Sequence, residues 1–154
     1  MLYFAYGSNM DPRQIRQRCP TSRFVSTAIL KDHRLEFTLH SKRRRCGVAN
    51  VVPADGYEVH GILYRINGRR DWEVLDAAEG YTPSRRRGNR YRKTRLRIFK
   101  TGYPGTVMSW IYVGIVEKSP PLPSASYLNQ MLSGADHWGL PETYRKFIAG
   151  LLES

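Results

Sequence analysis

Tyr3-Phe4-Ala5-Tyr6-Gly7-Ser8-Asn9, close to the N-terminus, is the stretch from which the fold of this chain can be built outward. Its first four residues form an apolar run typical of a short buried strand, and Gly7-Ser8-Asn9 ends that run. Asp11 followed by Pro12 predicts the start of a short helix ending near Cys19-Pro20, because Asp favours the N-cap and Pro the first helical position. The chain therefore opens as strand, loop and helix.

Most of the remaining apolar residues recur with the period of two that is typical of strands. Six further strands are predicted, with a Pro-Ala-Asp-Gly turn at Pro53 to Gly56 between the third and the fourth: 24–30, 34–39, 48–52, 59–66, 91–99 and 106–113. These strands follow one another without regular helical crossovers. That order favours an α+β fold with a curled, largely antiparallel sheet or a small barrel.

Three more helices are predicted between and after the strands. Asp71 to Glu79 carries a helical apolar pattern and is stopped by Gly80. Ser124 is a candidate N-cap for the next helix, and Pro141 opens the last one, whose apolar residues form one stripe. This stripe contains Tyr144, Phe147, Ile148, Leu151 and Leu152.

Length and composition limit the classes of protein to consider. The chain has 154 residues, 41% of them hydrophobic, which predicts one folded domain over residues 1–154. No apolar run approaches the roughly 18 residues of a membrane span, and the N-terminus lacks the basic start of a signal peptide. Cys19 and Cys46 could form one bridge, but two free thiols in a reducing cytoplasm is the preferred interpretation, so a cytoplasmic location is expected.

The charge is strongly positive, since 25 Lys and Arg residues face 13 Asp and Glu residues, a formal net charge of +12. It is concentrated in Lys42 to Arg45 and in Arg85 to Arg97, which holds eight cations. Three interpretations remain open: solvated surface, attraction of an anionic substrate, and nucleic-acid binding. The last is not favoured, because stacking aromatic residues are expected beside the cations of an RNA-binding surface and only Tyr91 lies within the second segment.

The loop Tyr6-Gly7-Ser8-Asn9 is the first candidate site. Gly permits backbone angles that can turn several N–H groups toward one point, and a helix N-terminus following it adds positive dipole character. Such a loop can bind a carboxylate or an oxyanion. The alternative is an ordinary turn, for which Gly-Ser-Asn is a common composition.

Glu79 is the second candidate, at the predicted C-terminal end of a helix. The helix dipole is unfavourable for a carboxylate there. Together with burial, this position would raise the pKa of Glu79 and suit it to proton transfer near neutral pH. The alternative is a solvated Glu at a helix end.

Metal, nucleotide and serine-nucleophile chemistry have no support in the sequence. There is no P-loop, dinucleotide-binding fingerprint or Gly-x-Ser-x-Gly elbow. The histidines and cysteines show no zinc-ligand spacing. They are His33, His40, His60, His137, Cys19 and Cys46. No metal and no cofactor are therefore expected.

Taken together, the two candidate motifs resemble those of the γ-glutamylcyclotransferase family. Tyr3 to Asn9 resembles the family's substrate-binding signature, and Leu75-Asp76-Ala77-Ala78-Glu79-Gly80 resembles its Leu-Asp-x-x-Glu-Gly motif. The similarity runs from about Leu2 to Leu151. Its weaker parts are Asp32 to Phe37, Gly47 to Ile66, Tyr91, Pro120-Pro121, Tyr127 and Gly139 to Pro141.

The resemblance implies a small mixed, largely antiparallel β-barrel with flanking helices and a cavity for a γ-glutamyl group. It also implies an enzyme that releases 5-oxoproline from a small γ-glutamyl amide without metal or cofactor, with Glu79 as catalytic acid and base. Gly7, Ser8 and Asn9 would hold the substrate through backbone N–H groups. The pocket walls or hydroxyl donors would be Tyr6, Tyr91 and Tyr127.

Two departures from the family pattern leave the specificity for the leaving group open. Tyr81 to Arg90 is an unexpected arginine-rich loop, and Lys42 to Arg45 precedes a core strand; both are expected to border the mouth of the pocket. Two alternative functions stay open. One is a nucleic-acid or anionic-partner binding protein on a catalytically idle barrel, and the other is the same chemistry on a larger γ-glutamylated metabolite or peptide.

Overall fold

Five strands and four α-helices make up the computed structural model, which describes residues 1–153. A single 3₁₀ turn, Ser8–Met10, separates the first strand from the first helix. In chain order the elements are β1 (Leu2–Ala5), α1 (Pro12–Arg18), β2 (Arg23–Ser41), β3 (Cys46–Arg65), α2 (Arg69–Ala78), β4 (Tyr91–Lys100), β5 (Thr106–Gly114), α3 (Ala125–Trp138) and α4 (Glu142–Leu151).

The strands close into a barrel in the order β1-β3-β2-β4-β5. Every pairing is antiparallel except the contact of β1 with β5, where Tyr3 lies beside Trp110 in a parallel register. The helices flank this barrel. The expected fold, a small mixed, largely antiparallel β-barrel with flanking helices, is thereby confirmed.

The predicted turn at Pro53 to Gly56 is wrong, because the chain does not reverse there. The first residue of the predicted turn, Pro53, pairs with His33 of β2, and Glu58, just beyond the predicted turn, pairs with Lys31 of the same strand. The segment between them forms a bulge opposite Asp32, where the Gly56 N–H donates to Asp32 Oδ1 at 3.0 Å. Pro and Gly are tolerated at such bulges, so the four strands predicted within residues 24–66 are two long ones.

α3 begins at the predicted N-cap and ends at a glycine in the left-handed conformation. The Ser124 hydroxyl accepts the Tyr127 N–H at 3.1 Å, and Gly139 ends the helix with φ 74°. Gly134 lies against the 3₁₀ turn, where a Cβ would stand only 2.3 Å from the carbonyl carbon of Met10. This close approach places Tyr127 beside the loop that follows β1.

The predicted apolar stripe of α4 is only partly buried. Tyr144 and Ile148 pack into the core, while Phe147 remains 45% exposed. Cys19 and Cys46 are both buried and free, which confirms two thiols rather than a bridge. Among residues 1–153, no helix combines the length and the apolar character that crossing a membrane requires.

Candidate active site

One cavity of about 370 Å³ brings together every residue that the sequence predicted for the site. Its walls include the loop after β1, the turn between β2 and β3 with the first part of β3, and the end of α2. The other elements that contribute side chains are β1, α1, β4, β5 and α3. The predicted residues that line it are Tyr6, Gly7, Ser8, Asn9, Glu79, Tyr91 and Tyr127.

The loop after β1 is held through its carbonyl groups. Tyr64 donates its hydroxyl to the Asn9 carbonyl at 2.9 Å, and the Trp138 indole N–H donates to the Met10 carbonyl at 2.9 Å. Within residues 1–153, the backbone N–H groups of Gly7, Ser8 and Asn9 have no acceptor. They are therefore open to an anion in the cavity, as the first N–H groups of a helical turn usually are.

The expected contribution of the α1 dipole needs correction. The N-terminus of α1 is capped by Asp11, whose carboxylate accepts the Arg13 N–H at 3.0 Å. The negative side chain thus meets the positive end of α1. The open N–H groups belong instead to Gly7 and the 3₁₀ turn.

Gly7 leaves space for a neighbouring side chain. Its backbone angles are φ −114° and ψ −137°. A Cβ at this position would stand 3.1 Å from the Tyr127 hydroxyl and 3.5 Å from the Ala49 Cβ. The absence of a side chain lets the loop approach Tyr127 closely.

Glu79 stands at the C-terminal end of α2, where its N–H donates to the Leu75 carbonyl at 3.0 Å. Gly80, with φ 64°, then turns the chain, which confirms the predicted stop. The Glu79 residue is half-buried at the cavity wall. Its carboxylate accepts one hydrogen bond, from Asn9 Nδ2 at 3.3 Å, and no ion pair within residues 1–153 includes it.

Burial raises the pKa of Glu79 to about 7, against the opposing influence of Arg18, Arg44 and Arg43. The direction is the one expected from its position. A carboxylate with a pKa near neutrality can both take and return a proton under ordinary conditions.

The Asn9 side chain is oriented by two donors on α1. Its Oδ1 accepts Gln14 Nε2 at 2.8 Å and Arg18 Nη1 at 3.0 Å, so the amide must present its N–H side to Glu79. The same Nδ2 donates to the Tyr3 hydroxyl at 2.9 Å. Asn9 thus fixes the distance between the loop after β1 and the end of α2.

The predicted tyrosines line the cavity but differ in the use of their hydroxyl groups. Tyr6 donates to the Tyr112 carbonyl at 2.6 Å, and Tyr91 donates to the Ala49 carbonyl at 2.7 Å. The Tyr127 hydroxyl accepts the Ala49 N–H at 3.0 Å and keeps its own proton for another partner. Burial raises the pKa of all three, so they remain protonated.

Sequence reasoning missed three residues that shape this site. Tyr3 lines the cavity with a hydroxyl that accepts from Asn9, and its place in the N-terminal signature could have indicated this. Arg18 follows Gln14 by four residues on α1, a spacing that puts both on one helix face. Arg44 could not be distinguished from the other cations of the Lys42 to Arg45 run. Only the geometry of the turn directs its guanidinium to Gln130 and Gln14.

The site is suited to proton transfer beside a bound anion. Glu79 is the one acidic side chain on the cavity wall, among several cations. Residues 1–153 contain no group of three or more His, Cys, Asp or Glu side chains that could hold a metal. What the site offers is one carboxylate, open N–H groups and tyrosine hydroxyls.

Comparison with known proteins identifies the relatives of this chain. The family model described as gamma-glutamyl cyclotransferase, AIG2-like matches residues 3–129. The chain is 31% identical over 150 residues to the gamma-glutamylcyclotransferase of Mus musculus and 29% identical to that of Homo sapiens, covering 94% of this chain and 75% of each relative. A solved structure named gamma-glutamyl cyclotransferase superposes with a TM-score of 0.85 at 27% identity, covering 97% of this chain and 86% of the other.

The matched region contains both motifs and all the predicted site residues. The resemblance seen in the sequence is therefore confirmed, as is the expectation of an enzyme family. Because the family model spans most of its length, this chain belongs to the gamma-glutamyl cyclotransferase, AIG2-like family.

Proposed function

We propose that the protein is a γ-glutamylcyclotransferase that releases 5-oxoproline from a small γ-glutamyl amide. The observation that carries this proposal is the Glu79 carboxylate, with a pKa raised to about 7, on the same cavity wall as the open N–H groups of Gly7, Ser8 and Asn9. The relatives named gamma-glutamylcyclotransferase support the same reaction.

The reaction is an intramolecular substitution at the γ-carbonyl carbon. Glu79 takes one proton from the substrate's α-ammonium, and the freed amine attacks the γ-carbonyl carbon to close a five-membered ring. The bond from that carbon to the leaving nitrogen then breaks. The proton held by Glu79 and the second proton lost by the attacking nitrogen both leave with the released amine, so the reaction balances without a cofactor.

The other lining groups have supporting roles in this proposal. Gly7, Ser8 and Asn9 hold the α-carboxylate or the oxygen that becomes negative during attack, because preorganised N–H groups stabilise such charge. Tyr6 and Tyr91 serve as walls, since their hydroxyls are occupied by backbone carbonyls. Holding the substrate folded brings the two reacting atoms together, which can account for much of the rate enhancement of a cyclisation.

The test is incubation with a panel of γ-glutamyl amino acids, amines and short peptides, with 5-oxoproline measured in each reaction. We expect 5-oxoproline from at least one small γ-glutamyl amide, and product from the peptides alone would favour the alternative of a larger substrate. If no member of the panel yields product while circular dichroism shows a folded protein, the proposed function is wrong.

A further inference from the structure

The cavity carries more positive charge than a γ-glutamyl group requires. Its lining includes one carboxylate, from Glu79, and five cationic side chains: Arg18, Lys42, Arg43, Arg44 and Arg90. A γ-glutamyl group brings one α-ammonium and one α-carboxylate, so its own charges cancel. The remaining positive potential is available to the part of the substrate that leaves.

The five cations differ in what they already contact. Arg90 is paired with Glu117 at 2.9 Å. Arg18 donates to the Asn9 amide, as described above, and has no acidic partner. Within residues 1–153, no ion pair includes Arg18, Lys42, Arg43 or Arg44. Four of the five cations thus have no ion-pair partner.

Arg44 anchors the turn that carries its neighbours. Its guanidinium donates to Gln130 Oε1 at 2.9 Å and to Gln14 Oε1 at 2.8 Å, and it lies 5.1 Å from the centre of the Tyr127 ring. These acceptors are neutral, so Arg44 fixes the turn over the cavity without losing its charge. The turn is closed further by the Arg45 N–H, which donates to the Ser41 carbonyl at 2.7 Å.

Lys42 and Arg43 are consequently held at the cavity mouth as exposed cations. Both line the cavity with exposed side chains, and neither side chain makes a hydrogen bond or ion pair with residues 1–153. Arg43 lies near enough to Glu79 to oppose the rise in its pKa. Two cations at the mouth, on an anchored turn, are an arrangement that fits two acidic groups on one ligand.

We propose, on the basis of the proposed function, that the amine released by this enzyme carries two acidic groups, and that Lys42 and Arg43 bind them. The substrate class is then a γ-glutamyl amide of a dicarboxylic amine rather than of a neutral one. This binding gives the Lys42 to Arg45 run a role in selecting the leaving group.

The test compares γ-glutamyl-glutamate with γ-glutamyl-glutamine, which has nearly the same size but one carboxylate fewer. With the wild-type protein at low salt, we expect kcat/KM to be about tenfold higher for γ-glutamyl-glutamate, because a charge-assisted hydrogen bond is roughly twice as strong as a neutral one. The preference should shrink at 1 M salt, where charges are screened beyond about 3 Å.

The double substitution Lys42→Gln with Arg43→Gln should reduce that preference to less than about twofold, mainly by slowing γ-glutamyl-glutamate. The matched control is Arg86→Gln, which removes an exposed cation that does not line the cavity and should retain the full preference. The thermal midpoint of each variant verifies that it is folded.

The outcomes separate this inference from the function on which it rests. If neither substrate yields 5-oxoproline, the proposed function fails and the inference falls with it. If both are converted with equal kcat/KM by the wild-type protein, the inference alone is overturned. That comparison needs no variant, so a folding defect cannot obscure it.

Discussion

Asp76 and Glu79 lie three residues apart on one helix, yet their surroundings are opposite. The Asp76 carboxylate accepts the Tyr112 hydroxyl and lies 3.1 Å from Lys93 Nζ, which also stands 4.1 Å from the centre of the Trp72 ring. Glu79 has no cationic partner within 4 Å in the described chain and one amide donor at 3.3 Å. The Asp76 carboxylate has a paired cation, and the Glu79 carboxylate has none within the described residues.

This difference shows how one short motif supplies both a structural and a reactive acid. Asp76 is engaged by the Lys93 ammonium and the Tyr112 hydroxyl, contacts that serve the fold. Glu79 is buried without a cationic partner, which raises its pKa toward neutrality and allows it to exchange protons there. The four predictions that follow test the contrast between Asp76 and Glu79.

The largest effect is expected from Glu79→Gln. The amide keeps the shape of the side chain but cannot accept a proton, so kcat should fall by about 10³-fold or more, while substrate binding changes little. Steady-state kinetics and isothermal titration with substrate measure the two quantities. Glu73→Gln is the matched control on the same helix, because Glu73 is exposed and pairs only with Arg69. A near-wild-type rate for Glu79→Gln would mean that another group takes the proton.

Asp76→Asn should mainly affect stability. The substitution removes the charge that balances Lys93, whose side chain is only 14% exposed, so the free energy of unfolding at pH 7 should fall by about 3 kcal/mol. Urea denaturation measures this change. We expect kcat to stay within about tenfold of wild type. If kcat falls by more than about tenfold while the variant remains folded, a purely structural role for Asp76 is contradicted.

The free energy of unfolding should depend on pH through Glu79. Its pKa of about 7 in the folded protein exceeds its ordinary value of 4.5, so folding favours the protonated form. Stability associated with this group is therefore fully present below about pH 4.5 and is lost as the pH rises through 7. Relative to wild type, Glu79→Gln should be unchanged near pH 4.5 and more stable by about 2 kcal/mol at pH 8, a value reduced from the full shift because the carboxylate borders an open cavity.

The comparison that checks this is urea denaturation of wild type and Glu79→Gln at both pH values. An equal free energy of unfolding for the two proteins at pH 8 would contradict the environment described for Glu79.

Asn9→Ala should have the smallest effect of the four. It removes the only hydrogen bond that the Glu79 carboxylate accepts within residues 1–153. Losing this donor disfavours the charged carboxylate, so the acidic limb of the kcat/KM profile should move to higher pH. We expect kcat/KM at pH 7 to fall about tenfold. Gln17→Ala is the control, since it removes an exposed side chain of α1 that does not line the cavity. An acidic limb that does not move would show that Asn9 does not act on Glu79.

Local signals were sufficient to predict the elements that carry the site. Asp11, Ser124 and Gly80 mark helix ends through short-range hydrogen bonds and backbone angles, and the structure places them as expected. The turn predicted at Pro53 to Gly56 was wrong because turns and bulges use the same residue types. Only the pairing of the flanking residues with β2 distinguishes the two.

Local sequence pattern alone could not predict that the site residues meet in one cavity. Glu79 and Asn9 meet across 70 positions of sequence, and the family resemblance rather than periodicity indicated that they would. The contrast between Asp76 and Glu79 was also invisible, since Lys93 comes from β4 and its pairing depends on barrel closure. Which cation of Lys42 to Arg45 turns inward is likewise decided by the turn.

The most direct test of the central claim is a titration of the Glu79 carboxyl group by carbon-13 NMR in protein labelled at glutamate, with its signal assigned by its absence from Glu79→Gln. The environment described here predicts a midpoint near pH 7. A midpoint near 4.5, the ordinary value for Glu, would contradict the claim that burial at the end of α2 prepares this carboxylate for proton transfer.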